Sequence, residues 1–274
     1  GTEPENLLCM QEAVERIHLD IKNMERVVIY EDYDADGVTA TALLVSALQR
    51  AGADVLGYIP NRFDEGYGLS IEALSNLYDQ GVKLVITVDC GMRSIEEAEH
   101  ARRIGLDLII TDHHHPSDEI PPALAIINAK QPGDTYPDKN LAGVGLAYKL
   151  ATAIYEDPTL TAEHLDLVAI GTVADLAPLV GENRYLVRGG LEQIRRPHRQ
   201  GVMALIGASG LRPDRINAGD IGYTLGPRLN AAGRLESALA ALALLLSQDV
   251  YVAATLAQKL DAQNRERQQI TRDI

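Results

Sequence analysis

The stretch YEDYDADGVTA, Tyr30 to Ala40, sets Glu31, Asp32, Asp34 and Asp36 within six residues. At about 4 Å and an effective dielectric near 20, each like-charge pair costs roughly 4 kcal/mol. The acids follow directly on the apolar run RVVIY (Arg26–Tyr30) and precede the helical pattern VTATALLVSALQRAG. Gly37 lets the chain turn from one into the other, and the free N–H groups at the start of such a helix can meet an anion.

Four more runs read as short buried strands: DVLGYI (Asp54–Ile59), KLVITV (Lys83–Val88), DLIIT (Asp107–Thr111) and ALAII (Ala123–Ile127). The helical patterns SIEALSNLYDQG and SIEEAEHARRIG lie between them, each with a Ser N-cap and a closing Gly. Nearly continuous apolar strands alternating with helices imply an α/β fold with a parallel twisted sheet flanked by helices. After about residue 144 the pattern is almost wholly helical, and from Ser247 it reads as one long exposed helix.

In an open α/β sheet, ligands bind beyond the carboxyl ends of the strands. RVVIY runs into EDYDADG, KLVITV into Asp89, and DLIIT into Asp112, His113, His114 and His115. The three runs should meet at one edge, where divalent cations would offset the carboxylates. Hard oxygen ligands with one or two imidazoles suit Mn²⁺ or Mg²⁺ better than zinc. A lone D-x-D is usually a solvated turn; three such clusters, each behind a strand, point to a metal site.

Composition sets outer bounds. The 274 residues can form one large domain or two smaller ones, and 46% hydrophobic content can supply a core. No apolar run reaches the roughly 18 residues of a membrane span. The first residues lack the basic-then-apolar order of a secretion signal. Two cysteines, Cys9 and Cys90, provide no disulfide framework, which favours a reducing cytoplasm. The charge of −14 is uneven: residues 1–160 carry 12 Lys+Arg against 27 Asp+Glu, and residues 161–274 carry 13 against 12.

The chain resembles the DHH phosphoesterase superfamily and, within it, the RecJ-type single-stranded-DNA exonucleases. The resemblance rests on DYDADGVTATALL (Asp32–Leu44), NRFDEGYGLS (Asn61–Ser70), VDCG (Val88–Gly91), TDHH (Thr111–His114), LAGVGLAYKL (Leu141–Leu150), GTVADLAPL (Gly171–Leu179) and LGPRLNAAGRL (Leu225–Leu235), in the family's order. It implies a 5′-to-3′ exonuclease acting in DNA repair and recombination by two-metal hydrolysis, with single-stranded DNA as substrate. A single-strand-binding protein and a helicase are the protein partners it suggests; no membrane is involved.

The resemblance also implies roles. Asp34 would bind one metal and Asp36 the other, Asp89 would bridge them, and His113 with Asp175 would complete the second. His114 would face the scissile phosphate, with Asp32 and Asp112 in support. Spacing alone leaves Asp175 a lone acid at a helix end. Arg62, Tyr67, Arg228, Asn230 and Arg234 are the candidates for gripping the strand, the Arg forks on phosphate and Tyr67 on a base. Two positions depart from the family: Tyr30 stands where many members have a metal-ligating His, and Glu31 where Gly is usual.

The resemblance divides the chain into a helical lead (1–24), the DHH catalytic domain (25–200), a helical extension with a phosphate-binding motif (201–246) and the start of a long helix (247–274) leading to a second domain. Two other functions fit the same motifs: a small-nucleotide phosphoesterase, and a non-catalytic replication scaffold of the same fold. His18, His100, His164 and His198 read as surface or cap residues, and Cys90 as a small buried filler.

Overall fold

The computed structural model describes residues 2–61, 68–230 and 234–273. Strands β1 (Arg26–Tyr30), β2 (Asp54–Tyr58), β3 (Val82–Thr87), β4 (Asp107–Thr111) and β5 (Ala125–Ile127) form a wholly parallel sheet in the order β2-β1-β3-β4-β5. From β1 the chain moves to one side to make β2, then crosses to the other side to make β3. The topological switch therefore falls between β1 and β3, where such sheets open a crevice.

Successive side chains of a strand point to opposite faces, so a strand apolar on both sides needs two cores. Val27 and Ile29 of β1 enter one core, and Val28 and Tyr30 the other. The smaller core is roofed by α3 (Ile71–Asp79) and α4 (Ile95–Ile104), through Leu74, Leu77, Ala98 and Ala101. On the other face the larger core takes in α1 (Met10–Asn23), α2 (Ala35–Arg50), α5 (Gly143–Tyr155) and α6 (Leu165–Ala174). It continues through α7 (Gly181–Arg195), α8 (Gln200–Ala208), α9 (Leu235–Leu246) and α10 (Val250–Arg272). Among the described residues, no helix is long and apolar enough to cross a membrane.

The five strands and the helices between them stand where the hydrophobic pattern puts them, with informative differences. Helix α2 starts at Ala35, three residues before the apolar pattern, because Asp34 caps it by accepting from Gly37 N at 2.7 Å. Ser70 caps α3 as expected, accepting from Ala73 N at 3.1 Å. Ser94 does not cap α4: its ψ of 64° is off the extended conformation that turns a cap side chain back onto the helix. Strand β5 is shorter than ALAII because Ala123 N–H turns back to the Pro121 carbonyl, 2.8 Å away.

Two exposure expectations are corrected. Helix α10 is not simply exposed: Ala253, Ala257, Leu260, Asp261 and Asn264 form a buried stripe at helical spacing. His164 is buried too; its Nδ1 accepts from Arg199 at 3.1 Å while Arg199 also pairs with Asp166. Burial, then the Arg199 charge, lowers its pKa to about 4, so it packs as a neutral ring.

Close approach of α2, α5 and α6 sets the geometry of the sheet's carboxyl edge. At Gly171 of α6, a Cβ would overlap Thr39 Oγ1 of α2 and come within 2.7 Å of Val144 Cγ1 of α5. Gly171→Ala should therefore destabilise the fold by about 1–3 kcal/mol through overpacking. Thermal unfolding would read this as a fall of roughly 2–4 °C for each kcal/mol.

Candidate metal centre

Three chain segments converge beyond the switch point. Asp34 and Asp36 follow β1, Asp89 follows β3, and Asp112, His113 and His114 follow β4. Asp89 sits at φ +58°, a left-handed conformation that Asp tolerates better than most residues. Thr87 Oγ donates to the Cys90 carbonyl at 2.7 Å and closes this turn. Thr111 Oγ donates to the Thr87 carbonyl at 2.7 Å, locking the ends of β3 and β4 together. Asp175 arrives separately, as the residue that caps the C-terminus of α6.

His113 Nε2 is the common point. It lies 2.8 Å from Asp89 Oδ1, 3.5 Å from Asp36 Oδ2 and 3.8 Å from Asp175 Oδ2. Among the described residues, two groupings have the compactness to hold a cation: Asp36, His113 and Asp175, and Asp89, His113 and His114. Asp89 Oδ1 and His113 Nε2 are buried with no hydrogen bond among the described residues. They are close, yet without hydrogen-bond geometry, and an orphaned carboxylate oxygen beside an orphaned imidazole nitrogen fits a divalent cation. Asp36 is anchored differently: it accepts from Gly143 N at 2.8 Å and Val144 N at 2.7 Å at the start of α5. A Cβ on Gly143 would come 2.9 Å from Asp89 Cβ and 3.0 Å from Asp36 Oδ2, so glycine is needed for that approach.

The protonation equilibria record the crowding. Burial, then the charges of Asp175 and Asp34, pushes Asp36 well above the usual carboxylate range. Burial, then Asp36 and Asp34, does the same to Asp89. Asp175 is raised to about 6 by burial and then Asp34. Adjacent histidines shift oppositely. Burial, then the His114 charge, lowers His113 to about 4, leaving a neutral ring suited to metal ligation. His114 is raised by its 2.6 Å Nδ1 contact with Asp112 Oδ1. Burial opposes ionisation of Asp112, but His114 and the N–H groups of Met92 and His114 hold its pKa down.

Sequence reasoning missed the groups that position this DHH loop. Asn128 Nδ2 donates to the His114 carbonyl at 2.9 Å, and Lys130 Nζ donates to the His113 carbonyl at 2.7 Å. Lys130 N also donates to Asn128 Oδ1, so the pair acts as one clamp just beyond β5. The available signal was a polar Asn-x-Lys at a fourth strand end. A cleft of about 610 Å³ opens beside the centre, lined in part by Asp89, Arg93, His114, His115 and Lys130. A recess of about 650 Å³ lies at the far end of α2, where Arg50 is paired with Glu163 and Arg199 with Asp166.

The two departures from the family pattern have clear places. Tyr30 packs in the smaller core and donates from its hydroxyl to the Gly68 carbonyl at 3.1 Å. Glu31 is fully buried, with Oε2 accepting from Thr41 at 2.9 Å and Oε1 unsatisfied among the described residues. Burial, opposed by the Thr41 hydrogen bond and aided by nearby Asp charges, raises its pKa well above the usual range. Neither metal-competent grouping includes it. Cys90 is buried, as expected of a small filler.

Among the candidate strand-gripping residues, Arg62 and Tyr67 lie outside the described residues. Arg228 is committed internally: its fork contacts Asp261 Oδ1 at 2.9 and 3.0 Å, and Nη1 donates to the Thr224 carbonyl at 2.9 Å. Asn230 and Arg234 are exposed.

The family model described as "DHH family, N-terminal domain" matches residues 26–172. The chain belongs to the DHH family. It is 48% identical over 268 residues to the single-stranded-DNA-specific exonuclease RecJ of Bacillus subtilis, covering 98% of this chain and 34% of that protein. This DHH chain thus spans about a third of that curated relative's length. The crystal structure of an exonuclease RecJ bound to manganese superposes with a TM-score of 0.87 at 36% identity, covering 96% of this chain and 67% of that one. A RecJ structure from Thermus thermophilus in complex with Mg²⁺ gives a TM-score of 0.71 at 33% identity, covering 96% and 35%.

The Asn128–Lys130 clamp predicts a graded effect. Lys130→Ala should weaken Mn²⁺ binding by about 10-fold, the lower end for groups that orient metal ligands. Calorimetric titration would measure it, with unchanged thermal stability separating lost positioning from lost folding.

Proposed function

We propose that this DHH chain is the catalytic part of a divalent-metal-dependent exonuclease that removes mononucleotides from the 5′ end of single-stranded DNA. The observation that carries the reading is the buried, hydrogen-bond-deficient meeting of Asp89 Oδ1 and His113 Nε2, flanked by Asp36 and Asp175. Similarity to RecJ proteins, including structures with Mn²⁺ and Mg²⁺, supports the choice of substrate and ion.

In this reading Asp34 and Asp36 would each hold one of two ions, Asp89 would serve both, and His113 with Asp175 would complete the second. Bound divalent cations lower the pKa of a water, polarise the phosphoryl group and offset charge on the leaving oxygen. The protein supplies the rest. Asp112 accepts from Nδ1 of His114, fixes the ring and favours its cationic form beside the cleft. From there His114 can stabilise charge on the scissile phosphate or assist the leaving oxygen. Asp36 stays fixed because α5 holds both its oxygens. A cytoplasmic setting, and partners that bind or unwind DNA, belong to the same reading.

The decisive assay uses a 5′-phosphorylated, 3′-labelled single strand with Mn²⁺, beside a 3′-phosphorylated control, a duplex and a dinucleotide. Loss of the strand from its 5′ end is the expected result. Asp89→Asn keeps the side-chain size and tolerates the left-handed backbone; it should lower the rate by more than about 100-fold. Retention of a tenth of the rate would sink the bridging role. Cleavage of the dinucleotide alone would favour a small-nucleotide enzyme, and no Mn²⁺ binding below millimolar would favour a scaffold.

Stability should depend on pH in opposite senses with and without metal. Asp175 has a folded pKa raised to about 6, so its effect on the metal-free fold is least harmful at low pH and worsens as pH rises through about 6. Metal binding requires the ionised carboxylate and strengthens over that interval. Thermal melts should therefore diverge as pH rises, with Mn²⁺ adding more protection at pH about 7 than at about 5.

A further inference from the structure

The turn that follows α8 borders a recess of different character. Residues Ile221–Leu225 wind as a single π-helical turn and run into the short helix Gly226–Leu229. Gly222 and Gly226 lie close against the last turn of α6: a Cβ on Gly226 would meet Ala174 Cβ at 3.1 Å, one residue before Asp175. Between this turn and α10 lies a recess of about 250 Å³ lined by Ala174, Gly222, Gly226, Pro227, Asn230, Asn264 and Arg267. It is smaller than the roughly 300–1,000 Å³ of pockets that enclose a whole small ligand, and suits a single compact group.

Its polar equipment is donor-rich. Asn264 is 3% exposed, and its Nδ2 is buried with no hydrogen-bond partner among the described residues. A buried amide donor left unpaired is costly unless a ligand or water takes it. Arg267 places Nη1 on the Asn230 carbonyl at 2.5 Å and Nη2 on the Pro227 carbonyl at 2.9 Å. A guanidinium has five N–H donors, so this pose is fixed and still leaves donors unspent. The nearby Asp261 is already neutralised by Arg228 and Arg265, at 2.9 and 3.0 Å. Among the described residues, the lining therefore brings one unopposed cation and one orphan amide, with no acid of its own, in a chain of net charge −14.

We propose that this recess is a phosphate subsite in which Asn264 and Arg267 hold a backbone phosphate of the single strand, beside the end of α6 that carries Asp175. It rests on the nucleic-acid reading above and adds two residues on α10 to the strand's path. Arg228 then acts as the pin holding the turn on α10, through Asp261.

Binding can be tested apart from hydrolysis. The probe is a fluorescein-labelled oligo-dT titrated by anisotropy into the metal-free chain at several low salt concentrations. Arg267→Ala should weaken binding about 10-fold and flatten the slope of log affinity against log salt by about 0.7, the loss of one single-strand phosphate contact. Asn264→Asp keeps the side-chain shape while presenting a charge to the phosphate; it should weaken binding at least as much. Thermal melts accompany both, and where Arg267→Ala lowers the melting temperature, Asn264→Asp decides. Wild-type affinity and slope in a folded Asn264→Asp would overturn the subsite. Failure of the exonuclease assay with these binding losses intact would instead remove the catalytic reading and leave the subsite standing.

Discussion

Mutual repulsion among acids that cannot reach bulk water governs this structure. Asp36 and Asp89 are 1% and 2% exposed, and both are driven toward their protonated forms by burial and by neighbouring carboxylates. The fold answers with oriented backbone. Helix α5 begins against Asp36 and directs two N–H groups at its oxygens, while α2 offers Gly37 N to Asp34. Helix N-termini carry partial positive charge, so each acid is stabilised from the protein side without a basic residue being spent. Asp36 and Asp89 both face His113, at 3.5 and 2.8 Å.

The adjacent histidines show how one backbone clamp divides labour. Their carbonyls are held by Lys130 and Asn128, so the loop cannot slide. One ring turns toward the buried acids and stays neutral; the other rests on Asp112 and favours its cation. The two rings differ because burial and the neighbouring His114 charge keep His113 neutral, whereas the Asp112 carboxylate sits on Nδ1 of His114. The loop thus sets His114, its pKa raised, beside the cleft while His113 turns to the buried acids.

The strands, their parallel direction and the meeting of three acidic runs were legible because all three depend on local pattern. A strand apolar on every residue must be covered on two faces, and acids placed straight after strands must gather at one edge. Asp175 was visible only through resemblance, since its partners lie more than sixty residues away in sequence. The Asn128–Lys130 clamp, the buried His164 and the stripe on α10 escaped for a related reason: each depends on what packs opposite, which one-dimensional pattern does not carry. Arg228 is the instructive case, because an arginine in a phosphate-binding motif reads as available until Asp261 appears beside it.

The left-handed turn at Asp89 bears on how such a fold can change over generations. Asn and Gly are the residues that most readily adopt that backbone, and each is a single-base change from an aspartate codon. Asp89, which lies nearer to His113 than Asp36 or Asp175 does, thus sits where the charge can be lost while the turn survives. A lineage could shed this buried acid and keep the architecture, gaining stability from the repulsion it no longer bears.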